Sequence, residues 1–370
     1  MWNSPTRLEK LVLKEDLKDP VLIISNPSNI SYFTGIPSPG GSILVSMPSR
    51  HKHVILTNIL EFYRFHDNSP GWLEVYGFYR SANEMIISDD IKVIGEDPYS
   101  SISKIIGNGE EEVVCDLGGL PCNYKEKFEK ICNKGSIENK ISEMRMIKTT
   151  EEINIITETI RTAEEAFLKT VDDINEGVSE LYLAGRLGLH MRVLGGEREA
   201  FPSIVAFGEN AAYPHAIPGT RKLERNELVL IDWGTVKYNY NSDSTRTLIY
   251  GKNKNLEKII EIVSEAVEKA VDIVQPGIKA KDIDNAARKV LEKHGFGSKF
   301  IHGLGHGVGI DVHEEPYIRP GSNTIIEKGM VFTIEPGVYL HDRFGVRIED
   351  MVLVTERGAK VLTMLPRIFS

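Results

Sequence analysis

Cysteine is scarce in this 370-residue chain: Cys115, Cys122 and Cys132 are all there is, and no two of them form a CxxC pair. An odd count without that spacing predicts three thiols acting as small apolar fillers, no disulfide framework, and a cytoplasmic protein. It also means that any metal site here has to use nitrogen and oxygen rather than sulfur. Long apolar runs are missing as well. None approaches the roughly eighteen residues that a membrane span needs, and the opening MWNSPTRLEK lacks the apolar segment of a secretory signal. Basic residues are not in excess: the formal net charge is -9, with no long block of like charges. A nucleic-acid partner would call for a basic face, so that class is disfavoured. Repeats and low-complexity tracts are absent.

The length exceeds what one core comfortably serves, and two domains are expected. Up to about residue 135, short apolar runs alternate with Pro, Gly and Asn clusters. VLII (21–24), SILVSM (42–47), HVIL (53–56) and EEVVCDL (111–117) read as strands of a small α/β domain. The texture changes near residue 140. From Glu151 to Asn175 the apolar residues Ile153, Ile156, Ile160, Ala163, Phe167, Val171 and Ile174 keep three-four spacing, predicting one long amphipathic helix capped by Thr149 or Thr150. Leu256–Val274 and Ile283–Leu291 repeat that pattern and stop at Pro-Gly and Gly signals. Between these helices lie the apolar runs LVLIDWG (228–234), TLIY (247–250), MVFTIEPG (330–337) and GVRIEDMVLV (345–354), each read as a strand. Short strand-loop-strand links point to an α+β architecture with an antiparallel-type sheet. The expected domains are 1–139 and 140–370, joined without a Gly/Ser linker.

Four acidic residues fall in or beside those strands. Asp232 ends LVLIDWG, and Asp243 follows eleven residues later in NSDSTRT, sharing a strand face with Thr245 and Thr247. Glu335 and Glu349 sit in otherwise apolar runs. Taken singly, three have a plain reading: the aspartates as turn residues of a hairpin, Glu349 as the salt-bridge partner of Arg347; Glu335, between Ile334 and Pro-Gly, has no obvious ion-pair partner. Taken together they require something more. Like charges about 4 Å apart repel by roughly 4 kcal/mol per pair at an effective dielectric near 20, so four converging carboxylates need cations. Two divalent ions would cancel the charge. The stretch HGLGHGVGIDVHEE (302–315), with three histidines and four glycines, offers His306 as the imidazole. Gly305 and Gly307 beside it are expected to let backbone and metal come close. Carboxylate plus imidazole suits manganese, cobalt, iron or zinc.

DWGTVKYNYNSDSTRT, HGLGHGVGIDVHEE, TIEPGVY and GVRIEDMVLVT, in that order, resemble the motifs of the pita-bread metallopeptidases: methionine aminopeptidase, aminopeptidase P and prolidase. The separations fit as well, twenty-nine residues from His306 to Glu335 and fourteen from Glu335 to Glu349. The first part of the chain, with SNISYFTG, is similar to the creatinase-type domain that precedes the catalytic domain in prolidase and aminopeptidase P. The resemblance implies a curved antiparallel sheet in the second domain and two divalent metal ions, manganese or cobalt first and zinc or iron as alternatives. It implies that Asp232 chelates the first ion, Asp243 and Glu349 bridge the two, and His306 and Glu335 complete the second. A hydroxide held between the ions would attack the scissile carbonyl. Glu335 would shuttle its proton, and His215 and His313 would hold the substrate and its developing oxyanion. For His302 two readings stand side by side: a residue that orients the site from outside, or a core or surface histidine.

The activity so implied is hydrolysis of Xaa-Pro bonds, by a dipeptidase or, on longer peptides, an aminopeptidase P. Prolidases often carry an arginine shortly after HExP to grip the dipeptide carboxylate. Here HEEPYIRPGS places Tyr317 there, leaving Arg319 or Arg347 to serve. The NYNSD segment has Asn239 where relatives commonly have glycine. A metal-free creatinase-like hydrolase and a non-catalytic binding module are the alternatives on the same fold, and retention of all five ligand types argues against both. Relatives with the N-terminal domain are usually homodimers, and EFYRF (61–65) and YGFYR (76–80) are aromatic-rich candidates for that interface.

Overall fold

The computed structural model describes residues 5–13, 19–78, 90–107 and 111–369. Tyr79 and Arg80, the end of YGFYR, lie outside the described residues. The chain divides into two compact units, Met1–Arg145 and Met146–Ser370. The division falls at the end of the helix Glu138–Met146, which begins where the sequence texture changes.

In the first unit six strands form one mixed sheet, in the order Val93–Gly95, Glu74–Phe78, Lys52–Asn58, Ile43–Met47, Val21–Ile24, Val113–Asp116. Val21–Ile24 runs antiparallel to Ile43–Met47 on one side and parallel to Val113–Asp116 on the other. Its four residues are all buried, as an apolar run without alternation demands. The helices Pro98–Ile106 and Cys122–Glu129 contribute Ile102, Ile105 and Phe128 to the core beside the sheet. One expectation fails here: Cys115 and Cys132 form a disulfide, with Cα atoms 5.9 Å apart, and Cys122 alone is free and exposed. The chain leaves the strand Val113–Asp116 through a short helix. It then returns alongside, with Cys115 N–H donating to Gly135 O and Ser136 bridging Cys115 in parallel. Spacing alone does not reveal this return, and the cysteine count no longer speaks for a reducing compartment.

The second unit is α+β, and its paired strands are antiparallel among the described residues. The long helix forms as Thr150–Val171. Thr149 caps it, accepting from Glu152 N–H, while the Glu152 carboxylate returns to Thr149 N–H. It stops short of Ile174. The helix Glu180–Val193 escapes periodicity because Leu181, Tyr182, Leu189 and Val193 are exposed and blur the buried stripe of Leu183, Leu187 and Met191. Phe167 of the long helix stacks on Trp233 at 4.2 Å between ring centres, and Trp233 Nε1–H donates to Ala163 O, fixing the strand Glu227–Trp233 against the helix. On its other side the helices Lys254–Asp272 and Ala280–Lys293 supply Val263, Val267, Ile283 and Ala287 to a core shared with Phe332 and Val352.

Two runs read as single strands are each broken. MVFTIEPG becomes Val331–Ile334 and Gly337–Leu340, and GVRIEDMVLV becomes Phe344–Arg347 and Asp350–Thr355. Pro336 has no N–H to give a ladder, and the chain changes sheet at that point. Glu335 and Glu349 therefore sit in the gaps, not inside strands.

Candidate metal centre

The strand Glu227–Trp233 carries Asp232 near its end, directly opposite Thr245 of the antiparallel strand Ser244–Tyr250. Asp243 immediately precedes that second strand. Between them the strands Thr235–Lys237 and Tyr240–Asn241 pair through a tight turn, with Tyr238 and Asn239 at φ 49° and 68°. Two left-handed residues in succession suit a primed hairpin turn, and asparagine tolerates that region, which accounts for Asn239 in a place that glycine also fills. His306 is the middle residue of the strand Gly305–Gly307, which pairs with both Glu314–Ile318 and Val331–Ile334. Glu349 N–H donates to Thr245 O, and Thr245 Oγ1–H donates to Glu349 Oε2 at 2.8 Å.

These placements bring the five residues to one cavity of about 910 Å³. Ligand atoms of Asp243, His306 and Glu349 all lie within 4.8 Å of one another. His306 Nε2 stands 3.3 Å from Glu335 Oε1 and 3.7 Å from Asp243 Oδ2. Asp232 Oδ2 accepts from Arg347 Nη2 at 2.5 Å, while Asp232 Oδ1 is buried with no hydrogen-bond partner. His306 Nδ1 lies 3.2 Å from Gly307 O. With the proton on Nδ1 and donated to that carbonyl, Nε2 keeps its lone pair for an ion.

The electrostatics of the protein alone are strained. Burial, followed by the charges of Glu349, Asp232 and Glu335, pushes Asp243 well above the usual carboxylate range. Burial, then Glu335 and Asp232, does the same to Glu349. Burial also raises Asp232, against the pull of Arg347. Glu335 moves the other way: burial, the largest single influence, would raise it, but the hydrogen bond to His306 and the charges of His306, His302 and Arg347 together outweigh that, and His306 is raised in return despite its own burial. The cluster by itself must take up protons. Divalent cations remove that need, and an orphaned carboxylate oxygen in a nitrogen-oxygen donor set is what such a cation uses. The residues present fit a metal centre.

Two expectations change, both at Arg347. Arg347 is not a free substrate-binding residue. It is 3 % exposed, and its guanidinium donates to Asp232 Oδ2, Tyr339 Oη (2.7 Å), Thr245 Oγ1 and Pro214 O, which leaves it committed. Its partner is accordingly Asp232, not Glu349. The glycines beside His306 do let neighbouring backbone come close, as expected: a Cβ at Gly305 would stand 2.0 Å from Thr333 O, and one at Gly307 would stand 2.2 Å from Glu315 O.

His215 and His313 both border the cavity. The His313 ring lies 4.1 Å from that of His306, and burial followed by that neighbour holds His313 below the usual histidine value. His302 Nε2 lies 3.0 Å from Tyr339 Oη, and Tyr339 in turn accepts from Arg347. Burial keeps Tyr339 protonated, with its pKa pushed up to about 12. Thr245 was visible in the sequence as sharing a face with Asp243. Tyr339 gave no signal, since nothing marks a tyrosine four residues beyond Glu335 as a partner of His302.

Residues 154–356 match the metallopeptidase family M24, and residues 7–147 match the creatinase/prolidase N-terminal domain. This chain belongs to metallopeptidase family M24. It is 37% identical to an Xaa-Pro dipeptidase of Pyrococcus furiosus, over 98% of both chains. Among solved structures, a prolidase from the same organism superposes with a TM-score of 0.81 at 34% identity, covering 97% of this chain and 99% of the other. An X-Pro aminopeptidase from Thermotoga maritima gives 0.84 at 30% identity, covering 98% and 99%. The M24 chain thus has the pita-bread fold, with the antiparallel sheets of its second unit as the frame of the centre. Within it, Tyr317 and Arg319 sit at the cavity on the strand Glu314–Ile318 and just beyond, with the Arg319 guanidinium 5.2 Å from the centre of the Tyr317 ring.

Proposed function

We propose that this M24 metallopeptidase is an exopeptidase that hydrolyses Xaa-Pro bonds, acting foremost as an Xaa-Pro dipeptidase. Asp232, Asp243, His306, Glu335 and Glu349 hold two divalent ions, manganese or cobalt. The observation that carries this reading is the buried, partnerless Asp232 Oδ1 beside carboxylates that burial and mutual repulsion push toward protonation. The proline preference is supported by the dipeptidase and prolidase relatives.

When bound, the two ions supply a water acidified toward neutrality and a Lewis acid for the scissile carbonyl. Glu335 takes the proton of the attacking water on a carboxylate oxygen and returns it to the leaving proline nitrogen. His215 and His313 donate to the carbonyl oxygen as negative charge builds on it. Arg347 and Tyr339 keep Asp232 oriented. With Arg347 committed, Arg319, exposed and at the cavity, is the cation left for the carboxylate of a dipeptide.

Metal analysis together with a substrate panel tests the reading. Two ions per chain are expected, with Xaa-Pro dipeptides cleaved faster than Xaa-Pro-Yaa tripeptides. A preference for tripeptides would make the enzyme an aminopeptidase, which the Thermotoga maritima structure favours. Cleavage of methionyl-alanyl peptides alone would remove the proline reading. Size-exclusion chromatography with light scattering tests the homodimer that belongs to the same proposal.

A further inference from the structure

Glu180 is fully buried, yet it is no part of the metal centre. It opens the helix Glu180–Val193, one residue after the cap Ser179. Its carboxylate accepts from both ends of one loop. Oε1 takes Phe207 N–H at 2.8 Å and Asn210 Nδ2 at 3.0 Å; Oε2 takes Asn210 Nδ2 at 3.1 Å and Gly219 N–H at 3.0 Å. The backbone of the same helix end repeats the tie, with Leu181 N–H donating to Gly219 O and Glu180 N–H to Arg221 O.

The loop closed in this way, residues 208–218, projects Tyr213, His215 and Ile217 to the cavity. All three are exposed, Ile217 at 88%. Within the loop Ala211 and Ala216 pack into a small core with Ile204, Ala206 and Leu230, while Tyr213, His215 and Ile217 between and beyond them stay exposed. The loop's own backbone supplies Tyr213 N–H to Asn210 O and Ala216 N–H to Tyr213 O, and Arg347 Nη1 reaches Pro214 O. A buried carboxylate has strong reason to keep every donor it has, and each donor has reason to keep the carboxylate. Among these ties one side chain, Glu180, joins both loop ends, at the root of the segment that carries His215.

We propose that Glu180 is a positioning residue for catalysis, setting the 208–218 loop so that His215 and Ile217 meet the substrate. This rests on the role proposed for His215. Glu180 touches neither the metal ligands nor the peptide, and acts only through the loop.

The test is a double-mutant cycle of Glu180→Gln and His215→Ala, read on the metal-loaded enzyme with an Xaa-Pro dipeptide. A glutamine replaces one acceptor oxygen by an N–H₂ group facing N–H donors, so at least one loop end is released. Glu180→Gln alone should lower kcat/KM by about 10- to 100-fold, the scale of a misplaced binding group, with KM raised and the metal content per chain unchanged. In the His215→Ala background it should cost less than threefold more, because the residue it positions is already gone. Asn210→Ala, which removes two of the contacts without altering the helix, should give a smaller loss in the same direction and keeps the test open if Glu180→Gln does not fold. Wild-type kcat/KM in both variants, a loss that adds fully to that of His215→Ala, or a loss that follows metal content would each overturn the proposal. Failure of the wild-type enzyme to cleave any Xaa-Pro substrate would instead strike the proposed activity.

Discussion

Arg347 Nη2 donates to Asp232 Oδ2 at 2.5 Å across two sheets, and both residues are buried. The pair settles half of the Asp232 carboxylate and leaves Oδ1 without a partner. A cation and Arg347 thus share one neutralising task. Removing Arg347 leaves a buried acidic cluster with less compensation, a loss on the scale of about 3–5 kcal/mol. Arg347→Ala should therefore destabilise the metal-free protein by that order. It should cost clearly less when manganese is bound, since the ions then neutralise Asp232. Urea melts with chelator and with excess manganese measure this difference. Equal losses in the two conditions would mean that Arg347 and the ions act independently.

Metal removal should itself be visible in stability. Ligand present at about 100 times its dissociation constant stabilises the folded state by about 2.7 kcal/mol. Chelation should lower the melting temperature of the wild type, and readdition of manganese should restore it. His306→Ala deletes the one nitrogen donor of the cluster. It should reduce metal-dependent hydrolysis by more than about 100-fold, the upper scale for changes to partners that merely orient a ligand. Circular dichroism should remain that of the wild type. Full turnover in this variant would end the assignment of His306 as a ligand.

Much of this centre was legible because its chemistry is expensive. Acids at Glu335 and Glu349 in apolar surroundings have few uses, and the run DWG…NSDSTRT reads as a hairpin with carboxylates at its rim. The long helices were legible from the spacing of Ile156, Ile160, Ala163 and Phe167 in one, and of Val263, Val267 and Ala270 in another. Interactions that join distant segments were not. The partner of Arg347 was sought two residues away at Glu349 and is Asp232, 115 positions distant. The glycines around His306 answer to Thr333 and Glu315 of neighbouring strands, and pairing between strands has no local signature. Glu180 lies in a helix that the sequence did not reveal, and only the folded chain brings Phe207, Asn210 and Gly219 to it. The disulfide was missed for the same reason.

That disulfide closes a segment with a sequence separation of 17 between Cys115 and Cys132. A loop of this length is associated with about 3 kcal/mol, chiefly through restriction of the unfolded chain. Reduction should lower the denaturant midpoint of the first unit by a matching amount. The metal centre, built wholly in the second unit, should keep its ions and its turnover. Melts followed by far-UV circular dichroism, with and without dithiothreitol, check the first point, and activity in the reduced protein checks the second. An unchanged midpoint would show that the bond contributes nothing to stability.

His53 predicts a pH dependence that also belongs to the first unit. It is 2% exposed on the strand Lys52–Asn58, with Nδ1 2.9 Å from Ser46 Oγ and its ring edge-on to Trp72 at 5.3 Å. Its Nε2 is buried without a partner, so a second proton would have nowhere to go. Burial, then the neighbouring His51, lowers its pKa from 6.5 to about 4. The unfolded chain therefore binds a proton near pH 6.5, whereas the folded chain resists until about pH 4. The stability contributed by neutral His53 is complete above pH 6.5 and is lost as the pH falls toward 4. Between pH 7.5 and 5 the loss should be about 2 kcal/mol. His53→Asn, which keeps an acceptor for Ser46 and cannot titrate, should remove that part of the slope. Urea midpoints of the two proteins at pH 7.5, 6 and 5 decide it: parallel lines would show that His53 titrates alike in the folded and unfolded chains.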